Sequence, residues 1–327
     1  MENAVHRIGV FTSGGDAPGM NAAIRSVVRT SQHMGIECVG IQRGYHGLIN
    51  GDIAKLDFES VSDITRRGGT ILYSARSEEF KTEEGQKKAI ATCKLLGLDA
   101  VVGIGGDGTF NGLLALAKHG ISVVGIPGTI DNDIACTSYT IGYDTACNTA
   151  LESIDRLRDT MQSHERCSVV EVMGHRAGHL ALNVGISCGA TAVLVPEKKV
   201  DYERDVIEPI RRARLGGRTH FMIIVAEGVG SAYQVAEKIM EATSLDTRVT
   251  VLGHVQRGGS PTARDRTVAA YMGYEAVRLL AAGKTCRVVA LQGDTYVDYD
   301  ITEALSMKKG LDEQTYTLMR ALTGVQE

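Results

Sequence analysis

Short apolar segments bounded by glycine alternate with longer stretches of helical spacing along most of this sequence. The segments are rich in valine and isoleucine and lack the polar alternation of a half-exposed strand. Continuous apolar strands separated by helices are typical of parallel βαβ units, whose strands are buried on both faces. The predicted strands are 8–11, 38–41, 100–104, 123–126, 169–172, 192–195, 222–226, 249–252 and 288–291. Helical spacing predicts helices that include 21–34, 83–96, 110–118, 145–161, 205–215 and 266–281.

This alternation predicts an α/β protein with two Rossmann-like three-layer α/β/α lobes and mainly parallel sheets. The 327 residues are enough for two domains, each with its own core. The loop after Ile126 is the best candidate for the passage between lobes. A long helix starting near Tyr143 follows this loop and leads into the second set of strands.

Composition narrows the class of partner. A formal charge of -4 and a pI near 6.2 argue against a nucleic-acid or membrane-surface binder, because both need a basic face. The sequence has no apolar run of 18 residues, and its start does not have the pattern of a signal peptide. Seven scattered cysteines form neither a disulfide framework nor a zinc motif. We therefore expect a cytoplasmic protein with no nucleic-acid or membrane partner.

Two glycine-rich loops lie between predicted strands and predicted helices. The first, SGGDAPG at 13–19, would expose backbone N–H groups beside the positive end of a helix dipole, although a plain tight turn has the same composition. The second, GIGGDGT at 103–109, matches the G-x-G-x-x-G pattern of dinucleotide-binding turns. Its Asp107 would repel a pyrophosphate unless a divalent cation lay between them. The second loop thus indicates a dinucleotide turn or a Mg²⁺–phosphate site, and Asp107 favours the latter.

A third loop, PGTIDND at 127–133, carries two carboxylates. It follows strand 123–126, at the edge where doubly wound sheets bind their ligands. Asp131 and Asp133, with Asp107, form an acidic set suited to holding a metal and removing a hydroxyl proton. An isolated D-N-D sequence is usually a turn or a cap. Its place beside two glycine loops makes catalysis the preferred interpretation.

Several basic residues adjoin glycine turns or predicted strand ends. A single arginine is usually a solvated surface charge, but a guanidinium next to a glycine turn matches the geometry of phosphate. The candidate phosphate ligands are Arg76, Arg166, Arg248, His254 and Arg257.

Six segments together resemble the bacterial ATP-dependent 6-phosphofructokinase family. They are TSGGDAPGMNAAIR (12–25), GGDGT (105–109), PGTIDND (127–133), IDRLRDT (154–160), VVEVMG (169–174) and VLGHVQRGGSP (251–261). The resemblance covers nearly the whole chain, although GGDGT alone also resembles NAD kinases and diacylglycerol kinases. It implies the phosphofructokinase fold, with 1–138 plus about 254–305 as the ATP-binding lobe and about 139–253 plus 306–327 as the fructose 6-phosphate-binding lobe.

The resemblance also implies an activity and an assembly. The activity is MgATP-dependent phosphorylation of fructose 6-phosphate at its 1-hydroxyl, the committed step of glycolysis. The assembly is a homotetramer whose active sites are shared between subunits. Pyrophosphate-using members carry Asp at the position of Gly108 and Lys at that of Gly128, so the two glycines predict ATP as donor. A regulatory subunit without activity is disfavoured because the acidic set and Arg76 are all present.

The resemblance assigns residue roles as follows. The catalytic residues are Asp131 as base, Thr129 and Arg76. The MgATP ligands are Gly15, Tyr45, Arg76, Ser77, Gly105, Asp107, Gly108 and Thr109, with Asp107 and Asp133 serving Mg²⁺. The sugar-phosphate ligands are Thr129, Asp131, Arg166, Met173, Gly174, Glu227, Arg248, His254 and Arg257, of which Arg166 and Arg248 would come from a neighbouring subunit.

An effector site is also implied, at positions Arg25, Arg29, Arg158, Arg218 and His220. The chain departs from the family pattern at Phe58 and Gly216, where basic residues are usual, and at Thr191, where a glutamate is usual. We therefore expect weak or absent activation by ADP and inhibition by phosphoenolpyruvate. His175 stands where an arginine usually follows Met-Gly, which leaves the role of that position open.

Overall fold

The computed structural model describes residues 5–325. Its strands in chain order are β1 Arg7–Thr12, β2 Glu37–Ile41, β3 Ile53–Lys55, β4 Ala100–Gly105, β5 Ser122–Pro127, β6 Cys167–Val172, β7 Ala192–Leu194, β8 Phe221–Ala226, β9 Thr247–Val251, β10 Arg287–Gln292 and β11 Thr295–Asp300. Its α-helices are α1 Met20–His33, α2 Gly44–Asn50, α3 Glu83–Leu95, α4 Asp107–Ala117, α5 Tyr143–Ser163, α6 His179–Ser187, α7 Glu208–Leu215, α8 Ala232–Thr243, α9 Ala263–Ala281, α10 Ile301–Ser306 and α11 Glu313–Thr323.

The chain divides into two compact units. The first unit contains the described residues up to Ile130, then Ile134–Thr145 and Arg257–Lys309. The second unit contains Asp131–Asp133, Ala146–Gln256 and the described residues from Gly310 onward. The chain first enters the second unit at Asp131 and finally leaves the first unit at Gly310.

The first unit is a seven-stranded sheet in the order β11-β10-β5-β4-β1-β2-β3, parallel except for its two edge strands. Successive residues of its central strands are buried on opposite faces. Val101 and Val123 belong to the core formed with α2, α3, α4 and α10, whereas Val102 and Val124 are equally buried but lie outside that core. Helices α1 and α9 pack against each other and against β1 and β5 respectively. The three-layer arrangement predicted from the sequence is confirmed.

The second unit has a parallel four-stranded sheet in the order β7-β8-β6-β9. Every residue of β8 is buried, as the continuous apolar sequence FMIIVA predicts. Residues of α7, α8 and a π-helical turn at Glu203–Ile207 pack on the sheet in one core. Helix α6 packs against β7, β8 and α11.

The sequence analysis does not identify β3 and β11. Both are antiparallel edge strands, and neither has the continuous apolar run of a buried parallel strand. Strand β11, TYVDYD, mixes apolar and acidic residues and is mostly half-buried. No helix within residues 5–325 is both long enough and apolar enough to span a bilayer.

Candidate active site

Three loops meet at the carboxyl ends of β1, β4 and β5, which are neighbours in the first sheet. The backbone N–H of Ser13 donates to the carbonyl of Ile104, and that of Gly128 donates to the carbonyl of Gly105, each at 3.0 Å. Thr109 Oγ1 donates to the carbonyl of Ser13 at 3.2 Å. These bonds tie the first, second and third predicted loops into one surface, as the strand order requires.

The glycines of the second loop differ in the space around them. A side chain on Gly105 would collide with the Ser13 carbonyl and with Thr109, whereas Gly106 and Gly108 have no atom within 4 Å of the place a Cβ would take. Asp107, in the first turn of α4, is exposed beside them. The surface is therefore open where an anion would meet a helix N-terminus and a carboxylate.

Among residues 5–325, no three His, Cys, Asp or Glu side chains converge as a metal site. Mg²⁺ in phosphoryl-transfer enzymes is commonly held by one or two carboxylates together with substrate phosphates. The exposed Asp107 next to open glycines fits that donor set, and Asp133 is half-buried on the third loop.

Arg76 lies on a segment that is fastened over the first loop. Thr12 Oγ1 donates to the Tyr73 carbonyl at 2.8 Å, and Ser74 Oγ donates to the Gly14 carbonyl at 2.5 Å. The Arg76 side chain is exposed and makes no hydrogen bond or ion pair within the described part of the chain. A fixed backbone thus carries a guanidinium that is available to a ligand.

Tyr45 and Ser77, both predicted nucleotide ligands, have structural contacts. Tyr45 is only 5% exposed, its ring stacks on Phe80 with 4.1 Å between centroids, and its hydroxyl donates to the Thr109 carbonyl at 2.5 Å. Burial raises its pKa well above the usual range. Ser77 Oγ accepts from the Phe80 N–H at 3.2 Å. Tyr45 therefore supports the start of α4 from beneath, which the sequence analysis did not anticipate.

The third loop places Thr129, Asp131 and Asp133 directly after β5. The Thr129 carbonyl accepts from Thr140 Oγ1 at 2.6 Å. Asp131 is 9% exposed, and Asn132 has a left-handed φ of 51°. Gly15 lies on the first loop, where a Cβ would meet the Arg257 guanidinium.

In the second unit, Met173, Gly174 and Glu227 lie at the ends of the neighbouring strands β6 and β8. Glu227 Oε1 accepts from the Gly174 N–H at 3.2 Å and from the His175 N–H at 2.6 Å. His175 has a left-handed φ of 54°, and its side chain is exposed. The Glu227 carboxylate thus closes the turn after Met-Gly by binding its backbone.

Arg166 and Arg248 are brought together by Asp246. Asp246 Oδ2 accepts from Arg166 Nε at 2.6 Å, and Asp246 Oδ1 lies 3.2 Å from Arg248 Nε. The hydrogen bond from Arg166 is the main reason why the pKa of Asp246 lies below its usual value. The two predicted phosphate ligands therefore form one cluster, which sequence spacing alone did not indicate.

His254 and Arg257 lie on a 3₁₀ turn, Gly253–Arg257, but belong to different units. His254 is exposed in the second unit. Arg257 belongs to the first unit, where its Nη1 donates to the Asp16 carbonyl at 3.1 Å. Arg257 is thus bonded to the first glycine loop, in the same unit as the predicted sugar ligand Thr129.

The predicted effector residues fall into two sets. Arg25 and Arg29 share a face of α1, and burial, followed by the nearby Arg29 charge, lowers the pKa of Arg25. The Arg29 guanidinium lies 3.7 Å from the centroid of the Phe58 ring. Arg158, Arg218 and His220 lie in the second unit, and burial and the two arginines lower the pKa of His220.

Two further acidic residues, which the sequence analysis did not single out, accept hydrogen bonds from backbone N–H groups. Glu197, after β7, accepts from the Gly178 N–H at 2.8 Å. Asp265 is fully buried at the start of α9. The pattern Thr262-x-x-Asp265 signals a helix start and could have located Asp265 as a capping residue, but not its distant partners.

Comparison with known proteins covers nearly the whole chain. The phosphofructokinase family model, described as "Phosphofructokinase", matches residues 7–280. A protein from Clostridium novyi named ATP-dependent 6-phosphofructokinase is 55% identical over 97% of this chain and 99% of its own length. One of the same name from Clostridium botulinum strain Hall is 52% identical over the same shares.

Solved structures of phosphofructokinases have a similar fold. Phosphofructokinase from Saccharomyces cerevisiae has a TM-score of 0.88 and 34% identity, covering 98% of this chain, which spans 47% of the yeast chain. A pyrophosphate-dependent phosphofructokinase from Marinobacter aquaeolei has a TM-score of 0.82 at 18% identity, covering 98% of this chain and 92% of its own, a likeness of fold. Because the family model matches residues 7–280 and relatives over 97% of the chain are 52% and 55% identical, the chain belongs to the phosphofructokinase family.

Proposed function

We propose that this protein transfers the γ-phosphoryl group of ATP to the 1-hydroxyl of fructose 6-phosphate, giving fructose 1,6-bisphosphate and ADP. The observation that carries the proposal is the joining of the three loops after β1, β4 and β5, where the Gly128 backbone bonds that of Gly105, close in sequence to the exposed Asp107 and the open glycines. Relatives named ATP-dependent 6-phosphofructokinase, matched over 97% of the chain, support it.

In this proposal Asp131 takes the proton of the sugar 1-hydroxyl. The sugar oxygen then forms a bond to the γ-phosphorus as the bond between that phosphorus and the β–γ bridging oxygen breaks, so ADP leaves with the electron pair. Arg76 stabilises the charge on the phosphoryl group during transfer. Phosphoryl transfer depends on such positioning and charge neutralisation rather than on a covalent intermediate.

The nucleotide phosphates lie against Gly15, Gly105, Gly108 and Thr109, with Tyr45 and Ser77 supporting the surface from below. Asp107 and Asp133 would hold Mg²⁺, which neutralises phosphate charge when it is bound. The sugar ligands are Met173, Gly174, Glu227, His254, Arg257 and Thr129. Arg166 and Arg248, the pair linked by Asp246, bind the 6-phosphate of the sugar held by a neighbouring subunit. The assembly is a homotetramer that acts in the cytoplasm.

The test is ADP formation by the purified protein with MgATP and a panel of sugar phosphates. We expect ADP release to depend on fructose 6-phosphate, and the variant Asp131→Ser to lower kcat roughly 10²- to 10⁴-fold, as loss of a positioned base does. Asp159→Ser is a matched control, since Asp159 is exposed on helix α5 and we place it outside the reaction. A normal kcat for Asp131→Ser would show that Asp131 is not the base. ADP release that does not depend on fructose 6-phosphate would reject the proposed function.

A further inference from the structure

Asp265 is a buried carboxylate that accepts hydrogen bonds from a distant segment of the chain. It is 0% exposed, in the first turn of α9. Its Oδ1 accepts from Tyr139 Oη at 2.6 Å and from the Gly142 N–H at 2.7 Å. Its Oδ2 accepts from the Thr145 N–H at 2.9 Å and from Thr145 Oγ1 at 2.5 Å. Four donors from one short segment, 139–145, therefore converge on one buried carboxylate.

The segment 139–145 in turn holds the third loop. Thr140 Oγ1 donates to the Thr129 carbonyl at 2.6 Å, and the Ile141 N–H donates to the Pro127 carbonyl at 3.0 Å. Gly128 and Ile141 form an isolated parallel bridge. Each of the three residues 127–129 is thus bonded or bridged to the segment that Asp265 anchors. Asp131 follows two residues later.

The same segment supports the loop after β1. Gly19 has a φ of 107°, and a Cβ there would lie 2.7 Å from Ile141 Cγ2 and 3.4 Å from Asp265 Cβ. Gly142 has a φ of 103°, and a Cβ there would lie 2.6 Å from Ala17 Cβ. These close contacts leave the segment little room to move, so a shift at Asp265 would be transmitted to the loops on either side.

We propose that Asp265 is a positioning residue for phosphoryl transfer: its carboxylate fixes segment 139–145, which fixes Thr129 and, through the chain, the base Asp131. The proposal rests on the proposed function. It predicts that loss of this carboxylate lowers the rate of the chemical step more than it weakens binding of either substrate.

Asparagine cannot replace the carboxylate, although it has the same shape. Each oxygen of Asp265 accepts one backbone N–H, from Gly142 on one side and from Thr145 on the other. An amide has one acceptor oxygen and one NH₂ group. Whichever way it is oriented, one buried backbone N–H faces another donor, and segment 139–145 must move.

The first experiment compares Asp265→Asn with Leu116→Ala, a cavity-forming change of a fully buried side chain in the core on the other face of the same sheet. Both variants are assayed well below their measured Tm, with kcat and both KM values determined. We expect Asp265→Asn to lower kcat at least tenfold while each KM changes less than threefold, and Leu116→Ala to keep kcat within twofold. An Asp265→Asn kcat within twofold of wild type, or an equal loss in Leu116→Ala, would overturn the proposal.

Two further measurements keep the proposal testable if Asp265→Asn does not fold. Tyr139→Phe removes one of the four donors and should lower kcat twofold to fivefold with unchanged KM values, and an unchanged kcat would reject the proposal. Hydrogen exchange of the intact protein needs no activity: protection of the backbone amides of residues 128–129 and 139–145 should fall in Tyr139→Phe and not in Leu116→Ala. If the wild-type protein forms no ADP with fructose 6-phosphate, the proposed function fails. Unchanged hydrogen exchange in Tyr139→Phe would refute only the anchoring role of Asp265 and would leave the proposed function standing.

Discussion

Alanine at two glycines of helix α4 is expected to change stability in opposite directions. At Gly112 a Cβ would lie 2.5 Å from Tyr45 Oη and 2.6 Å from Tyr45 Cε2, far inside van der Waals contact. The Tyr45 ring is held by Phe80 at 4.1 Å and by Phe11 at 4.8 Å between centroids, and by its bond to the Thr109 carbonyl. At Gly108 the same methyl group would enter open space.

The magnitudes follow from these contacts. Overpacking costs about 1–3 kcal/mol, and displacing the Tyr45 hydrogen bond adds about 1 kcal/mol. Alanine in a helix regains about 0.5–1 kcal/mol over glycine. We expect Gly112→Ala to lower the free energy of unfolding by about 2 kcal/mol and Gly108→Ala to raise it by about 0.5 kcal/mol. At roughly 2–4 °C per kcal/mol for units of this size, Gly112→Ala should lower Tm by about 4–8 °C.

Calorimetry of the two variants checks the stabilities, and initial rates at varied ATP check the site. Because the open space above Gly108 is proposed to receive nucleotide phosphates, Gly108→Ala should raise the KM for ATP severalfold while its Tm does not fall. A Tm for Gly112→Ala equal to that of wild type would refute the packing argument. An unchanged KM in Gly108→Ala would remove Gly108 from the nucleotide site.

The remaining predictions concern the donor and the anion clusters. Pyrophosphate should not replace ATP, because Gly108 and Gly128 supply no side-chain charge; coupled assays with each donor decide this, and equal rates would contradict it. ADP and phosphoenolpyruvate should each change the half-saturating concentration of fructose 6-phosphate less than twofold, because Arg29 Nη2 already donates to Ser62 Oγ and its guanidinium stacks on Phe58. Saturation curves with and without each effector test this prediction. Burial and two arginines lower the pKa of His220, and an anion bound beside it favours the protonated imidazole. Sulfate binding, measured by calorimetric titration, should therefore be tighter at pH 6 than at pH 8, and the opposite order would exclude His220.

The sequence predicted those parts of the fold whose signal is local. Strands β4 and β8 are buried along their whole length, and their continuous apolar runs marked them. Loops placed after such strands meet because neighbouring parallel strands end at one edge, so Asp107 and Thr129 could be located without coordinates. Edge strand β11 was missed because its two aspartates interrupt any such apolar run.

Contacts between distant parts of the chain could not be predicted in this way. Tyr139 and Asp265 are 126 residues apart, and no local pattern links them. Tyr45 was assigned to the nucleotide by resemblance, but its burial depends on Phe80 and Phe11, which come from other elements. The pairing of Arg166 with Asp246 spans 80 residues. Such positions are set by tertiary packing rather than by propensity or spacing.

The packing of α1 on α9 has a consequence for synthesis of the chain. The two helices approach closely where Gly273 faces Ser26, and Ser26 Oγ donates to the Ala270 carbonyl across 244 residues of sequence. At a translation rate of roughly 5–20 residues per second, the ribosome needs about 12–50 s between these two residues. Throughout that time the buried face of α1 has no α9 to cover it, and all of Ala146–Gln256 is made before the first unit can close. The nascent chain thus leaves the side of α1 that faces α9 uncovered while most of the second unit is being synthesised.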